Sequence, residues 1–376
     1  MFRNCPRQII SCCLVALFFA WSPAALAESV KIAAIFAFTG KAVNSNRPAV
    51  FGTELAVREL NEQGGILGRP VELLMYDNES SPIGSYLAAE RAVKAGVAGI
   101  IGASWSSHSL AVAKVAALHH LPMISPISTI PSLTAIGDSI FRVCYNDDFQ
   151  GSALARFAYE DLAARRAIVF IDISSDFSMS IAKIFNQTFA VLGGTVVKEV
   201  EYKTGQEDFR QAVRDALPHQ ADVAFLSGYD ESGYIAAALQ EAGSTAVPIG
   251  SDGWDVGSFF SLGGNRIARG YFINHWLPDP ADPESQAFIE KFRNEGELPA
   301  ATALAYDAVR VLAAAIEKAG TTDRHKLIDS LRGLKGFKGV TGDISFDSRG
   351  DAAKHACIAE IKNGVPHFLK CLDAKH

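Results

Sequence analysis

The chain has 376 residues, 49 % of them apolar, and a net charge of −6 with both signs spread along it. That length exceeds one ordinary core and suits two α/β lobes. The absence of a Lys/Arg stripe argues against nucleic acid as a partner.

At the N-terminus, Arg3 and Arg7 precede an apolar run from Ile9 to Trp21, too short to cross a bilayer comfortably. Pro23 breaks the run, and Ala25-Leu26-Ala27 supplies the small-x-small pattern that a signal peptidase reads. Residues 1–27 are therefore expected to be a cleaved secretory signal, with a periplasmic mature chain. A competing reading takes Ile9-Ile10-Ser11-Cys12 as a lipoprotein box with Cys12 lipidated; most of the apolar run lies after Cys12, which favours cleavage at Ala27.

From Val30 onward, short β-rich runs alternate with helical spacing. Strands are predicted at 30–37, 71–76, 97–101 and 122–125, with helices at 49–62, 83–95 and 110–119 between them. The alternation resumes with strands at 167–171, 196–202, 221–226 and 247–249 and helices at 178–192 and 231–242. Such alternation implies parallel sheets covered on both faces. The two blocks meet near Phe141 to Gly151. After Tyr271 to Trp276 the pattern turns helical (283–294, 302–319, 324–331), and these helices are expected to return to the first lobe. A hairpin from His355 to Leu372 then crosses back. The expected fold is two doubly wound parallel-sheet lobes joined by a multi-crossover hinge. The N-terminal lobe takes 28–146 with 276–340, and the C-terminal lobe takes 147–275 with 341–376.

Cys144, Cys357 and Cys371 follow the signal segment. Cys357 and Cys371 lie equally far from Gly364 of the Asn363-Gly364 turn, so on a hairpin they would face each other. An oxidising compartment permits a disulfide there, and two unpaired thiols are the alternative. No Cys/His spacing indicates a metal site, and no cofactor motif is present. Gly64-Gly65-Ile66-Leu67-Gly68 follows a helix rather than a strand, which suits a helix stop and a turn, not a phosphate cradle.

Hydroxyl-rich loops follow two predicted strands of the first block: Gly102-Ala103-Ser104-Trp105-Ser106-Ser107 and Ser125-Pro126-Ile127-Ser128-Thr129. Each alone reads as a helix cap. Two at adjacent strand ends would converge on one anion, at the crevice where open α/β sheets bind ligands. In the second block, Asp252 sits among small residues in Gly250-Ser251-Asp252-Gly253-Trp254 and could hold an ammonium group; a turn aspartate is the alternative.

These segments, in this order, resemble the periplasmic branched-chain amino-acid-binding proteins of ABC importers, the Leu/Ile/Val-binding type with the type I periplasmic binding fold. Glu59 to Gly68 is similar to that family's helix-end signature, with Gly40 and Gly52 framing the first ligand loop. Ile101-Gly102 with Ser106-Ser107, Pro122 to Ser125 leading to Thr129, and Phe141-Arg142, Asp147 and Gln150-Gly151 match its binding loops and crossover. The resemblance implies that Ser106 holds an α-carboxylate. Ile127 and Ser128 would contribute backbone groups, and Thr129 a hydroxyl for the amino and carboxylate groups. Asp252 would pair with the ammonium, while Phe177 and Tyr229 are aromatics of the second lobe. Ser45 and Trp105 depart from the family pattern, as does Arg47 in a polar stretch. A ligand with a polar or aromatic distal group is therefore expected to bind better than leucine. The resemblance further implies a non-enzymatic, monomeric receptor without cofactor that delivers a small-molecule ligand to a membrane permease. A periplasmic sensor presenting its ligand to a membrane signalling partner is the alternative.

Overall fold

The structure is a computed structural model that describes Met1 and residues 28–255, 257–278, 282–296 and 298–372. Residues 2–27, and with them the signal reading and Cys12, lie outside the described residues.

β1 (Val30–Phe36) is buried along almost its whole length, as a parallel strand covered on both faces must be. The chain continues through α1 (Val43–Glu62), β2 (Val71–Asp77), α2 (Pro82–Lys94), β3 (Gly99–Gly102), α3 (Ser106–Leu118), β4 (Met123–Ser125) and β5 (Ile140–Arg142). These strands form a parallel sheet in the order β2-β1-β3-β4-β5. The second block follows: α4 (Asp147–Arg156), β6 (Arg166–Asp172), α5 (Asp176–Val191), β7 (Thr195–Tyr202), α6 (Arg210–Ala216), β8 (Val223–Leu226), α7 (Glu231–Glu241), β9 (Val247–Gly250), α8 (Gly257–Leu262) and β10 (Arg269–Asn274). Then come α9 (Pro283–Phe292), α10 (Ala300–Ala319), α11 (Arg324–Arg332), the small hairpin β11 (Phe337–Gly339) and β12 (Gly342–Ile344), and finally β13 (Ala356–Lys362) and β14 (Val365–Leu372).

The second sheet runs β14-β13-β10-β9-β8-β6-β7. Its parallel part repeats the winding of the first sheet, because in each block the first strand lies between the second and the third. The departure from an all-parallel sheet is at its edge, where β13 pairs antiparallel with β10 and with β14. A two-residue turn can join only antiparallel strands. Asn363 and Gly364 both have positive φ, the geometry that such a tight hairpin requires. Cys357 and Cys371 pair in register across this hairpin and are joined as a disulfide.

The helices after β10 return to the first sheet. Leu304, Leu312 and Ile316 of α10 and Leu327 of α11 share a core with Ile32, Phe36 and Ile101. α10 lies so close to α1 that a Cβ on Gly52 would meet the Thr302 carbonyl oxygen at 2.0 Å. Ile344, Phe346 and Ala352 also pack into this core. The chain thus passes between the sheets after Arg142, after Asn274 and after Ala352. Arg142, fully buried at the first passage, donates from Nε to Asp351 at 2.6 Å and so ties the first passage to the third.

Candidate functional site

Sheets wound in this order leave a crevice at the carboxyl end between the first and third strands, where the chain departs in opposite directions. Both crevices are lined by the loops that follow β1, β3 and β4 in the first sheet and β6, β8 and β9 in the second.

In the first sheet, α1 starts six residues earlier than its periodicity predicts. Asn46 makes this possible. Its amide donates to the Ala42 carbonyl at 2.9 Å and accepts the Ala37 N–H at 3.1 Å, which holds the first turn against the end of β1. Ser45 and Arg47 are therefore helical rather than loop residues. The Ser45 hydroxyl donates to the Ala42 carbonyl and accepts the indole N–H of Trp105 at 3.0 Å. Arg47 does not line the compartment that Ser45 borders; it lines a groove of about 1040 Å³ together with Phe51, Phe260 and Leu298.

Ser128 is held at three points within the protein. Its N–H donates to Ser125 Oγ at 3.1 Å, its carbonyl accepts from Arg142 at 3.0 Å, and its hydroxyl bonds to the Ser104 carbonyl at 2.8 Å. These bonds tie the two hydroxyl-rich loops together.

In the second sheet, Asp252 stands in a short turn after β9. Gln150 of α4 clamps it, donating from Nε2 to Oδ1 at 2.9 Å and accepting the Asp252 N–H at 3.1 Å. His275, just past β10, bonds to Oδ2 from Nε2 at 3.0 Å and stacks on Tyr145 with centroids 3.7 Å apart. Neither Gln150 nor His275 carries a ligand role in the sequence reading. Their part depends on the chain crossing beside Asp252, which spacing does not reveal.

The sheets meet through an aromatic stack. Trp105 from the first side lies parallel to Tyr229 from the second, with centroids 5.0 Å apart, and Tyr229 stacks in turn on Phe177 at 4.9 Å. The three rings divide the cleft. An inner compartment of about 40 Å³ is lined by Ser45, Ser104, Ile127, Thr129, Asp252 and Asp255 beside the rings. An outer compartment of about 270 Å³ holds Ser106, Lys41, His108 and the start of α5. The structure thus gathers Ser45, Trp105, Ile127, Thr129, Phe177, Tyr229 and Asp252 around one space and puts Ser106 on the other side of the stack. The hydroxyl missed by sequence reasoning is Ser104, buried and without a hydrogen-bond partner. Its signal was present, since it precedes Trp105 in the same serine-rich loop.

Burial sets the local charges. It holds the His108 imidazole down at about 4, so this ring is neutral at pH 7. It keeps the Tyr229 phenol protonated, with the Asp252 carboxylate adding to the effect. Asp147, fully buried on the first turn of α4, is pushed up to about 7 by burial; the hydroxyls of Thr129 and Ser180 soften this without completing a hydrogen bond. Among the described residues, one group of His and Cys ligand atoms lies within 4.8 Å of one another, that of His355, Cys357 and Cys371, and its two sulfurs are already joined to each other.

Two sheets of this winding, crossed three times by the chain and opposed at their carboxyl ends, define a two-lobed α/β protein of the type I periplasmic binding class. The chain belongs to the periplasmic binding protein family, whose profile matches residues 29–365. It is 28 % identical to a Leu/Ile/Val-binding protein, BraC3, of Rhizobium johnstonii, over 88 % of this chain and 91 % of the relative. A leucine-, isoleucine-, valine-, threonine- and alanine-binding protein of Pseudomonas aeruginosa is 26 % identical, with 92 % of each chain covered. Among solved structures, the leucine-binding protein LivK of Thermotoga maritima superposes with a TM-score of 0.87 at 35 % identity, covering 92 % of this chain and 99 % of that one. The branched-chain amino-acid transporter substrate-binding protein LivJ of Streptococcus pneumoniae, in complex with isoleucine, gives the same TM-score at 27 % identity, covering 92 % and 100 %. The family consists of solute-binding proteins, and this chain is not an enzyme.

Proposed function

We propose that this protein is the periplasmic receptor of an ABC importer, binding an amino acid or a close analogue between its lobes and passing it to a membrane permease. The observation that carries this reading is the pairing of Asp252, clamped by Gln150 and His275, with the free Ser104 hydroxyl and Thr129 across one compartment. A carboxylate on one side and hydroxyls beside the N-terminus of α3 on the other match the two charges of an α-amino acid. In this reading Ser104 and Thr129 receive the ligand carboxylate with backbone groups at Ile127, and Asp252 receives the ammonium. Ser106 adds its hydroxyl from the outer side as Trp105 swings, and Phe177 and Tyr229 close over the ligand. The relatives named for leucine, isoleucine and valine support the ligand class.

The lobes in this proposal are 28–146 with 276–340 and 147–275 with 341–376, the last boundary moving to Ala352 because Ile344 and Phe346 pack into the first core. Hinge closure about the ligand, cleavage after Ala27, export to the periplasm and a monomeric mature chain complete it. Native mass spectrometry followed by calorimetric titration with the common amino acids tests it. One-to-one binding of an α-amino acid is expected, and failure of every α-amino acid to bind overturns it.

A further inference from the structure

The inner compartment and the groove of about 1040 Å³ share three segments. α1 gives Ser45 to the compartment and Arg47 and Pro48 to the groove. The turn after β9 gives Asp252 to the compartment and Asp255 to both. The start of α10 gives Ala301 to the compartment and the preceding Pro299 to the groove. Asp255 marks the boundary, where its Oδ2 reaches across the cleft and accepts the N–H of Ala300 at 2.7 Å. The groove is therefore the continuation of the cleft. It is needed, because the inner compartment of about 40 Å³ has room for only a few water-sized groups. The walls of the groove are mainly apolar. Val50 and Phe51 belong to one face of α1, with Arg47 and Glu54 at three- and four-residue spacing from them. Phe260 of α8 contributes from the second lobe, and Leu298 and Pro299 from the first. Phe51, Phe260 and Leu298 are only half-buried, so each keeps apolar surface in water, whereas Arg47, Glu54 and Glu295 are exposed and charged. Apolar walls behind a charged rim, opening from a polar pocket, suit a ligand with a polar head and an apolar tail.

We infer that the groove receives the tail of the ligand, and that the amino acid bound carries an apolar side chain longer than that of leucine, lying against Phe51 and Phe260. This rests on the reading of the cleft as an amino-acid site. The head group stays with Asp252, Ser104 and Thr129, and the tail passes Asp255. That carboxylate is half-buried and already bonded to α10, so the passing tail strips less water from it than from a free carboxylate. Full burial of a methylene is worth about fourfold in affinity. The groove is open on one side, so about twofold per methylene is expected along it.

Calorimetric titration of the wild type with leucine, norvaline, norleucine, α-aminooctanoate and α-aminodecanoate tests this and needs no variant. Affinity is expected to rise along the straight-chain series, with α-aminodecanoate roughly tenfold or more tighter than norvaline and tighter than leucine. Phe260→Ser in the second lobe and Leu298→Asp in the first are each expected to shrink the ratio of α-aminodecanoate to norvaline by about fivefold or more. A ratio cancels any general loss of head-group affinity, and two variants on opposite lobes guard against one that fails to fold. Leucine, norvaline or norleucine binding as tightly as the longer ligands overturns the inference alone. So does a ratio unchanged in both variants, which would leave the groove as no part of the ligand site. If none of the five binds, the reading of the cleft fails and the inference with it.

Discussion

Replacing Asp252 separates its two duties, receiving a ligand ammonium and holding Gln150 and His275. In Asp252→Ala the ammonium would enter the inner compartment unpaired, a loss of about 2–5 kcal/mol in binding. At about 1.4 kcal/mol per factor of ten, that weakens affinity by roughly 30-fold to several thousandfold. The same change also strands Gln150 Nε2 and His275 Nε2, both buried. Each group left without a partner costs about 1–3 kcal/mol of folding stability. Asp252→Asn retains an oxygen for the Gln150 amide, so it should lose binding with less of the destabilisation. Calorimetric titration with the tightest-binding amino acid gives the first quantity, and urea unfolding of the ligand-free protein gives the second. Full-affinity binding by a folded Asp252→Asn variant would refute the ammonium assignment and turn attention to ligands without an amine.

Tyr229→Ala removes the ring through which the two sides of the cleft stack, an interaction worth about 0.5–1.5 kcal/mol beyond its buried area, so the ligand-free protein should scatter X-rays with a larger radius of gyration than wild type; an unchanged radius would mean that the stack does not hold the lobes together. Asp147 binds its proton up to about pH 7 in the folded chain, against a usual value of 3.8, so the folded state holds more protons than the unfolded between those limits and stability must fall as pH rises across that window. Asp147→Asn should therefore flatten this slope and be the more stable form at pH 8, as urea midpoints across the range would show. Reducing the Cys357–Cys371 disulfide, which spans 14 residues, should cost about 2–4 kcal/mol in unfolding free energy. Cys144, buried and with its thiol pushed up by burial, should resist labelling until the chain is unfolded.

The alternation of strands and helices was legible because each strand is short, apolar and separated by a helical period, and the hairpin because Asn363-Gly364 is a strong turn signal. The helix starts were less so. Helical spacing was legible only from residue 49, yet α1 begins at Val43 and runs through Pro48 because Asn46 secures the first turn. The polar residues that open α3 and α4 hide those helices' first turns behind what looks like loop. Within the site, Thr129 and Asp252 could be named from the residues around them. The clamp by Gln150, the bond from Trp105 to Ser45 and the reach of Asp255 to α10 join segments 60 to 102 residues apart or on opposite lobes. No local pattern carries information about such meetings. Ser104 and Ser106 have the same local chemistry, and only the fold decides which of them enters the inner compartment.

The packing of α10 on α1 has a consequence for the order of folding. The first core draws on β1 near residue 30 and on Ala352, with α10 in the middle of it. No N-terminal fragment can therefore bury the outer face of α1, however long a ribosome waits. Contacts between segments this far apart in sequence also make folding slow. For a polypeptide threaded through a translocon that admits only extended chain, the delay is useful. If the chain is exported in that way, as proposed, the lobe that emerges first cannot complete its core until nearly all of the chain has followed.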